Sequence, residues 1–282
     1  MKSRPLVDKS VEELTVACAE LKKQGVTPTM KVILVGNNPG SVIYTRNKKR
    51  FIEKFGAECE IIKLPESLEE DAFLKSVADI VNNDDVHGCF VQLPLPKQLA
   101  HINVGELIPP HKDVDGFNKA NVMNLYQGEK GDGALISCTP KGVVTLCNYY
   151  GIEIENKNVT IVGRSLIVGK PLSLLMTNHN ATVTLCHSKT KDLSLFTKNA
   201  DIIVMATGNA KFLKKEHLND SGKQVIIDVG MTYDEDGKLC GDVDFENVKD
   251  HVSAISPAPG GVGPMTILSL AQNLLQAAQN GL

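Results

Sequence analysis

The chain has no apolar run near the ~20 residues that span a bilayer, and its opening stretch, Met1 to Ser10, lacks the apolar core of a secretory signal. Both absences point to a cytoplasmic protein with no membrane partner. Excess charge of one sign is missing too, since 30 Lys and Arg stand against 33 Asp and Glu for a formal net charge of −3. Nothing in that balance attracts polyphosphate in general, so nucleic acid is not an expected partner. The seven cysteines (Cys18, Cys59, Cys89, Cys138, Cys147, Cys186, Cys240) contain no C-x-x-C pair, which leaves neither a disulfide framework nor a metal site signalled. They read as buried thiols.

What the chain does have is ordinary globular composition over 282 residues, 42% hydrophobic and 22% charged, enough for two cores. Ser10 and Glu13 have the spacing of a capping box, and Val11, Leu14, Cys18 and Leu21 then recur at helical spacing until Gly25. An apolar strand is expected from Met30 to Val35, then a helix from Ser41 to Phe55, a strand from Glu60 to Leu64, a helix from Glu69 to Asn82 and a strand from Val86 to Leu93. Such alternation implies a parallel sheet covered on both faces. The loop-rich stretch from Pro94 to Thr139 reads as both a linker and a functional surface. Beyond it, Thr139-Pro140 opens a helix that Gly151 ends, and strands at Val159 to Val162, Thr182 to Cys186, Ile202 to Ala206 and Val225 to Val229 mark a second α/β unit of nucleotide-binding style. A final helix carries Ile267, Leu268, Ala271, Leu274, Leu275 and Ala278 on one wide face, which should bury itself on the first unit. The expectation is therefore an α/β protein of two α/β domains, the second Rossmann-like.

In the helix from Ser41, Lys48 falls in the same arc as Tyr44, Phe51, Ile52 and Phe55, whereas Arg46, Arg50 and Lys54 fall on the far side. A lysine facing a core or cleft loses hydration, which readies it for proton transfer or nucleophilic work. The alternative is a lysine that snorkels along the apolar face to water. Gln92 ends a strand before Leu93-Pro94-Leu95-Pro96, where open α/β sheets bind ligands, or else it caps loop backbone there. Asp113 and Asp115 lie two apart in Lys112-Asp113-Val114-Asp115-Gly116-Phe117, and either takes paired hydrogen bonds from a ring or satisfies its own turn.

The strand ending at Val162 runs into Gly163-Arg164-Ser165-Leu166-Ile167-Val168-Gly169-Lys170-Pro171. This is not G-x-G-x-x-G, yet it keeps the logic of a glycine for backbone approach followed by a helix N-terminus for phosphate. The next strand ends at Cys186-His187-Ser188-Lys189-Thr190 without the acid that NAD-preferring folds place there. Arg164, Ser188 and Lys189 would instead welcome a 2′-phosphate, which favours NADP. His187 reads more readily as a structural strand-end residue. Thr207 and Gly208, with Gly230, end later strands where backbone could approach a nicotinamide. Pro257 to Thr266 is a glycine-rich loop that either covers a flat ligand or forms a rigid turn.

Taken together, the motifs resemble the bifunctional methylenetetrahydrofolate dehydrogenase/methenyltetrahydrofolate cyclohydrolase family over nearly the whole chain. The resemblance rests on Tyr44-x-x-x-Lys48, Val91-Gln92-Leu93-Pro94-Leu95-Pro96, Lys112 to Phe117, Cys138-Thr139-Pro140-x-Gly142, the Gly163 to Pro171 stretch, Cys186-His187-Ser188-x-Thr190, Gly241-Asp242-Val243 and Pro259 to Thr266. Thr45, Arg50, Ser256 and Ala258 depart from the family's usual residues. The resemblance implies NADP-dependent oxidation of 5,10-methylene-tetrahydrofolate, hydrolysis of the methenyl product to 10-formyl-tetrahydrofolate, and a homodimer. It also implies Lys48 as the catalytic lysine hydrogen-bonded by Gln92, Tyr44 stacked on the pterin and Asp115 on its amino-pyrimidine edge. Pro259, Gly260 and Gly261 would contact substrate, and Gly163, Arg164, Ser165, Ser188, Thr207, Gly208, Met231 and Thr266 the cofactor, with no metal. The folate-binding catalytic domain would span 1–117 plus 263–282 and the Rossmann-like domain 118–262. A monofunctional dehydrogenase and a non-catalytic NADP-binding sensor are the alternatives, and intact Lys48 and Gln92 argue against both.

Overall fold

The computed structural model describes residues 1–128 and 134–281; residues 129–133 of the expected loop and Leu282 at the end of the expected C-terminal return lie outside it. Two compact bodies result. One holds Asp8–Asn124, the 134–138 stretch and the chain from Ile267, and the other holds Met1–Val7 and Thr139–Thr266.

The first body contains α1 (Arg4–Lys23, its first turn belonging to the other body), β1 (Thr29–Val35), α2 (Pro39–Lys54), β2 (Glu58–Leu64), α3 (Glu70–Val81), β3 (Gly88–Val91) and most of α4 (Lys119–Tyr126). Its three strands are parallel in the order β2-β1-β3, with Thr29 opposite Glu58 and Met30 opposite Gly88. Central β1 is apolar without interruption from Val32 to Val35, where both faces are covered and Val32, Ile33 and Leu34 are fully buried, while Lys31 nearer its start pairs with Glu60 of β2. The capping-box expectation is corrected: α1 starts at Arg4, so Ser10 lies inside the helix. Leu6, Ser10, Leu14, Cys18 and Leu21 form one buried stripe, and burial of that face carries the helix through a residue better suited to a cap. Asn38 caps α2 by accepting from Ser41 N at 3.0 Å, with Pro39 at its first position.

The second body continues with α5 (Cys138–Tyr149), β4 (Asn158–Val162), α6 (Gly169–Asn178), β5 (Thr182–Cys186), α7 (Ser194–Thr197), β6 (Ile202–Met205), β7 (Val225–Asp228), β8 (Thr232–Tyr233), β9 (Leu239–Cys240), α8 (Phe245–Val248) and β10 (Ala254–Ile255). Five parallel strands run in the order β10-β7-β6-β4-β5. From β4 the chain goes first to β5 on one side, then back to β6 on the other, which makes a topological switch point beside β4. Met1–Val7 belongs with this body, because Ser3 N and Oγ each donate to Gly260 O at 3.0 Å and Tyr150 Oη donates to Lys2 O at 2.7 Å.

Helix α9 (Val262–Asn280) closes the chain, and from Ile267 it belongs to the first body. Asn273 Nδ2 donates to Val114 O at 2.9 Å and Ile136 O at 2.8 Å, while Leu274 presses on Gly88, where a Cβ would collide with the Val114 side chain. All seven cysteines are buried free thiols. Among the described residues no helix is long and apolar enough to cross a membrane, and no group of three or more metal-ligating side chains occurs.

Candidate functional site

Helix α2 buries Ser41, Thr45, Lys48 and Ile52 along one stripe. Lys48 is 3% exposed, so its ammonium does not reach water along the helix face as a snorkelling lysine would. Its Nζ lies 3.8 Å from the centroid of Phe90 and 4.8 Å from that of Tyr44, a cation held between two aromatic rings. The nearest carboxylate oxygen, Asp115 Oδ1, is 3.9 Å away, an ion-pair distance too long for a hydrogen bond. Thr45 satisfies its hydroxyl within the helix, donating to Ser41 O at 2.8 Å.

The two aspartates of the turn have opposite roles. Asp113 accepts from Gly116 N at 3.1 Å, Asn118 N at 2.7 Å and Asn121 Nδ2 at 2.9 Å, and burial pushes its carboxyl up to about 6. It holds the turn. Asp115 is turned toward Lys48 instead and its side chain remains 13% exposed, so it keeps acceptor capacity. Gly116 enables the turn with φ +75°, and a Cβ there would strike backbone of Ile136 and Ser137.

Gln92 corrects one expectation. Its Nε2 donates to Leu93 O at 2.7 Å, and its buried Oε1 has no partner among the described residues, so no hydrogen bond to Lys48 is formed. The short path from Gln92 Nε2 to the neighbouring carbonyl wins over the longer reach to the helix. Phe90 is the residue that sequence reasoning passed over. Its signal was available, since strand alternation places Phe90 and Gln92 on one face.

In the second body, a cleft of about 530 Å³ opens where β4, β5 and β6 end, lined by Gly163, Arg164, Ser165, His187, Ser188, Thr190, Thr207 and Asn209 with four apolar neighbours. No carboxylate lines it. Gly163 adopts φ +128°, and Gly169 lies so close to the Gly163 carbonyl that a Cβ could not fit. The expected free helix N-terminus is partly occupied: Ser165 Oγ accepts from Val168 N at 3.1 Å and from Gly169 N at 3.5 Å. A serine within reach of the first turn competes with any phosphate for those donors. His187 is a turn residue, its N donating to Thr190 Oγ1 at 2.9 Å and its Nδ1 accepting from Lys189 N at 3.1 Å. Lys189, Gly208, Met231 and Thr266 are not among the residues lining this cleft. Thr266 Oγ1 lies 3.1 Å from Thr139 Oγ1, and Met231 is half exposed. Asn209 and Phe212, which do line it, carried no distinguishing sequence signal.

Pro259, Gly260 and Gly261 belong to the second body, whereas Lys48, Tyr44, Gln92 and Asp115 belong to the first. Gly260 has φ +102°, and its carbonyl is the acceptor for Ser3.

Family models for the tetrahydrofolate dehydrogenase/cyclohydrolase catalytic domain and NAD(P)-binding domain match residues 1–115 and 137–282. A "Bifunctional protein FolD" from Listeria innocua is 48% identical over 268 residues, covering 95% of this chain and 93% of its own. Among solved structures, the bifunctional methylenetetrahydrofolate dehydrogenase/cyclohydrolase of Campylobacter jejuni superposes with TM-score 0.95 at 40% identity over 100% of this chain and 98% of its own. The Trypanosoma brucei enzyme, solved with NADP cofactor and inhibitor, gives TM-score 0.91 at 31% identity over 99% and 97%.

Proposed function

The chain belongs to the tetrahydrofolate dehydrogenase/cyclohydrolase family, and from that premise we infer a bifunctional enzyme of one-carbon folate chemistry. It oxidises 5,10-methylene-tetrahydrofolate to the 5,10-methenyl cation with NADP as oxidant and hydrolyses that cation to 10-formyl-tetrahydrofolate. The observation that carries the hydrolytic half is the buried Lys48 ammonium, held between Phe90 and Tyr44 with Asp115 Oδ1 at 3.9 Å.

Hydrolysis requires that water lose a proton as its oxygen adds to the amidinium carbon, and that nitrogen gain one as the C–N bond opens. We assign both transfers to Lys48 Nζ, which as the free amine takes the first proton from water and as the ammonium gives it to nitrogen, while the second proton of that water leaves to solvent as the C=O bond forms. Tyr44 offers its ring to the pterin and fixes the lysine from one side. Asp115, spared from the turn that Asp113 holds, is assigned to the amino-pyrimidine edge of the substrate. Gln92 Oε1, buried and with no partner among the described residues, is an acceptor reserved for substrate or for Lys48 once substrate displaces the amide from Leu93. Pro259, Gly260 and Gly261 are proposed as substrate contacts, the loop being held by Ser3.

The cleft at the ends of β4, β5 and β6 suits NADP: it opens at the switch point of the parallel sheet, no acid lines it, and Arg164 and Ser188 stand exposed at its edge. When bound, the dinucleotide supplies the two-electron acceptor for the first step. Gly163 lets backbone approach the pyrophosphate, while Arg164, Ser165 and Ser188 offer donors to phosphate and Thr207 forms part of the floor. Gly208, Met231 and Thr266 stay in this assignment on the family resemblance. We further propose a cytoplasmic homodimer, an inference from the family that light scattering would check. The functional domain assignment is proposed as 1–117 with 263–282 for folate and 118–262 for NADP, although Met1–Val7 is grouped by its contacts with the second body.

Absorbance of the methenyl species during incubation with methylene-tetrahydrofolate and NADP tests the whole reading. Transient appearance followed by decay faster than the buffer rate is expected. Accumulation without accelerated decay would leave a monofunctional dehydrogenase, and no methenyl signal despite NADP binding would leave a sensor.

A further inference from the structure

One fully buried carboxylate beneath the cleft belongs to no role assigned so far. Asp242 Oδ2 accepts from Thr207 N, from Thr207 Oγ1 at 2.9 Å and from Gly208 N at 3.1 Å. Thr207 lines the cleft, and its Oγ1 in turn accepts from the backbone N of Asn209 at 3.2 Å, the next lining residue. All three donors to Asp242 therefore come from the loop that leaves β6 and floors the cleft. The other oxygen, Oδ1, has no partner among the described residues. A second aspartate, Asp228 at the end of β7, fixes Asp242 from behind: its Oδ1 accepts from Asp242 N and Gly230 N at 3.0 Å each, and its Oδ2 from Val243 N at 3.0 Å. Gly230 and Gly241 are tied to this arrangement, because a Cβ on Gly230 would run into the Asp242 carboxylate and one on Gly241 into that of Asp228.

A carboxylate with one oxygen saturated by three donors from a single loop sets that loop's conformation, since three charge-assisted hydrogen bonds converge on one fixed atom. We propose that Asp242 is a positioning residue for dinucleotide binding, holding Thr207 and Gly208, and through them Asn209, in the conformation that floors the cleft. The inference rests on the reading of that cleft as the NADP site. It assigns Asp242 no contact with the cofactor and no part in hydrolysis.

The unpartnered Oδ1 makes the test selective. Asp242→Asn retains an oxygen for Thr207 and Gly208 and places its amide nitrogen where no hydrogen bond is lost, whereas Asp242→Ala removes the acceptor altogether. Titration calorimetry of NADP into the purified protein is expected to show the dissociation constant raised at least tenfold in Asp242→Ala and by less than threefold in Asp242→Asn. Hydrolysis of pre-formed methenyl-tetrahydrofolate, which uses no nicotinamide, reports the folded fraction of each preparation and normalises the result. NADP affinity within twofold of wild type in Asp242→Ala overturns the proposal, as does an equal loss in both variants. If Asp242→Ala does not fold, Thr207→Val against Thr207→Ser decides: a several-fold weakening confined to the valine variant supports the proposal, and no difference overturns it. Failure of the wild-type protein to bind NADP would sink the cofactor reading instead.

Discussion

Around Lys48 the candidate chemistry is carried by side-chain ends, an ammonium, two rings and a carboxylate, all delivered by one helix, one strand and one turn. Around Gly163 the shape is set by backbone: two glycines in contact, a serine closing a helix turn, and a loop held from below by Asp242. The lysine pocket should thus be sensitive to the chemical identity of single side chains, and the cleft to any atom that moves its backbone. Each of the following measurements can separate the two regions or fail to.

The largest effect is expected at Lys48. Lys48→Met keeps the length and apolar stem but removes the proton carrier, so methenyl hydrolysis should fall by about 10²- to 10⁴-fold, the usual worth of a general acid–base. NADP affinity should be unchanged, since no backbone of the cleft is involved. Hydrolysis at the wild-type rate would end the assignment of Lys48.

Each body also buries one acid whose proton it holds abnormally. Burial pushes Asp228 up to about 7, against three N–H donors that pull the other way, and Asp113 up to about 6 by the same cause. A carboxyl with a raised folded pKa keeps a proton that the unfolded chain has lost, so stability falls as pH rises from about 4 through the folded value and then levels off. For Asp228 the change is at most about 4 kcal/mol, taking ~1.4 kcal/mol per unit. His87, lowered by burial, works in the opposite sense below its ordinary value. Carbon-13 titration of the aspartate carboxyls separates these contributions. Midpoints near 4 for both acids would show that the N–H donors fully offset burial.

These contrasts explain what could be read in advance. The place of Lys48 within an apolar helical arc is visible from periodicity, although its burial in place of snorkelling is not, and the strands are visible because buried parallel strands are largely apolar runs. The choice between Asp113 and Asp115 was not visible: both stand in one turn, and only the positions of Asn118 and Asn121 decide which carboxylate the turn consumes. Gln92 had the same difficulty, since a flexible amide can reach either its neighbouring carbonyl or a lysine on another element. The start of α1 is not legible because the local cap signal at Ser10 is overridden by burial that only the assembled body supplies. Asp242 lay in a quoted motif without a function, for its three donors come from a loop 34 and 35 positions earlier.

The division of labour between the two aspartates can be broken directly. Asp115→Asn should weaken both folate reactions by the worth of a charge-assisted hydrogen bond, on the order of 1.5–3 kcal/mol, with thermal stability nearly unchanged. Asp113→Asn should do the reverse and lower the melting temperature, because it replaces an acceptor with a donor facing backbone N–H. If Asp115→Asn left folate affinity intact, neither acid of the turn would be a substrate ligand.

Backbone sensitivity of the cleft has its own test at Gly169. Adding one methyl forces the Gly163 carbonyl aside, at a cost typical of overpacking, about 1–3 kcal/mol. Gly169→Ala should weaken NADP binding through the displaced turn, while hydrolysis per folded molecule stays constant. Equal loss of both activities would mean that the two regions are not separable.

The smallest effect concerns the one charged side chain on which the cleft's selectivity rests. Arg164 is exposed, so its attraction for a 2′-phosphate is screened by water and salt, and about tenfold in affinity is a fair expectation rather than the larger value of a buried pair. Ser188 lines the same cleft and retains part of the selectivity, whereas Lys189, absent from the lining, should contribute little. Arg164→Ala should therefore reduce kcat/KM for NADP, leave that for NAD nearly constant, and lose much of its effect as ionic strength rises and screens the wild-type contact. Lys189→Ala should move the preference by less than twofold. If Lys189→Ala instead abolishes the preference and Arg164→Ala does not, the 2′-phosphate is held by a side chain reaching in from outside the cleft, and Lys189 rather than the lining charge of Arg164 determines cofactor choice.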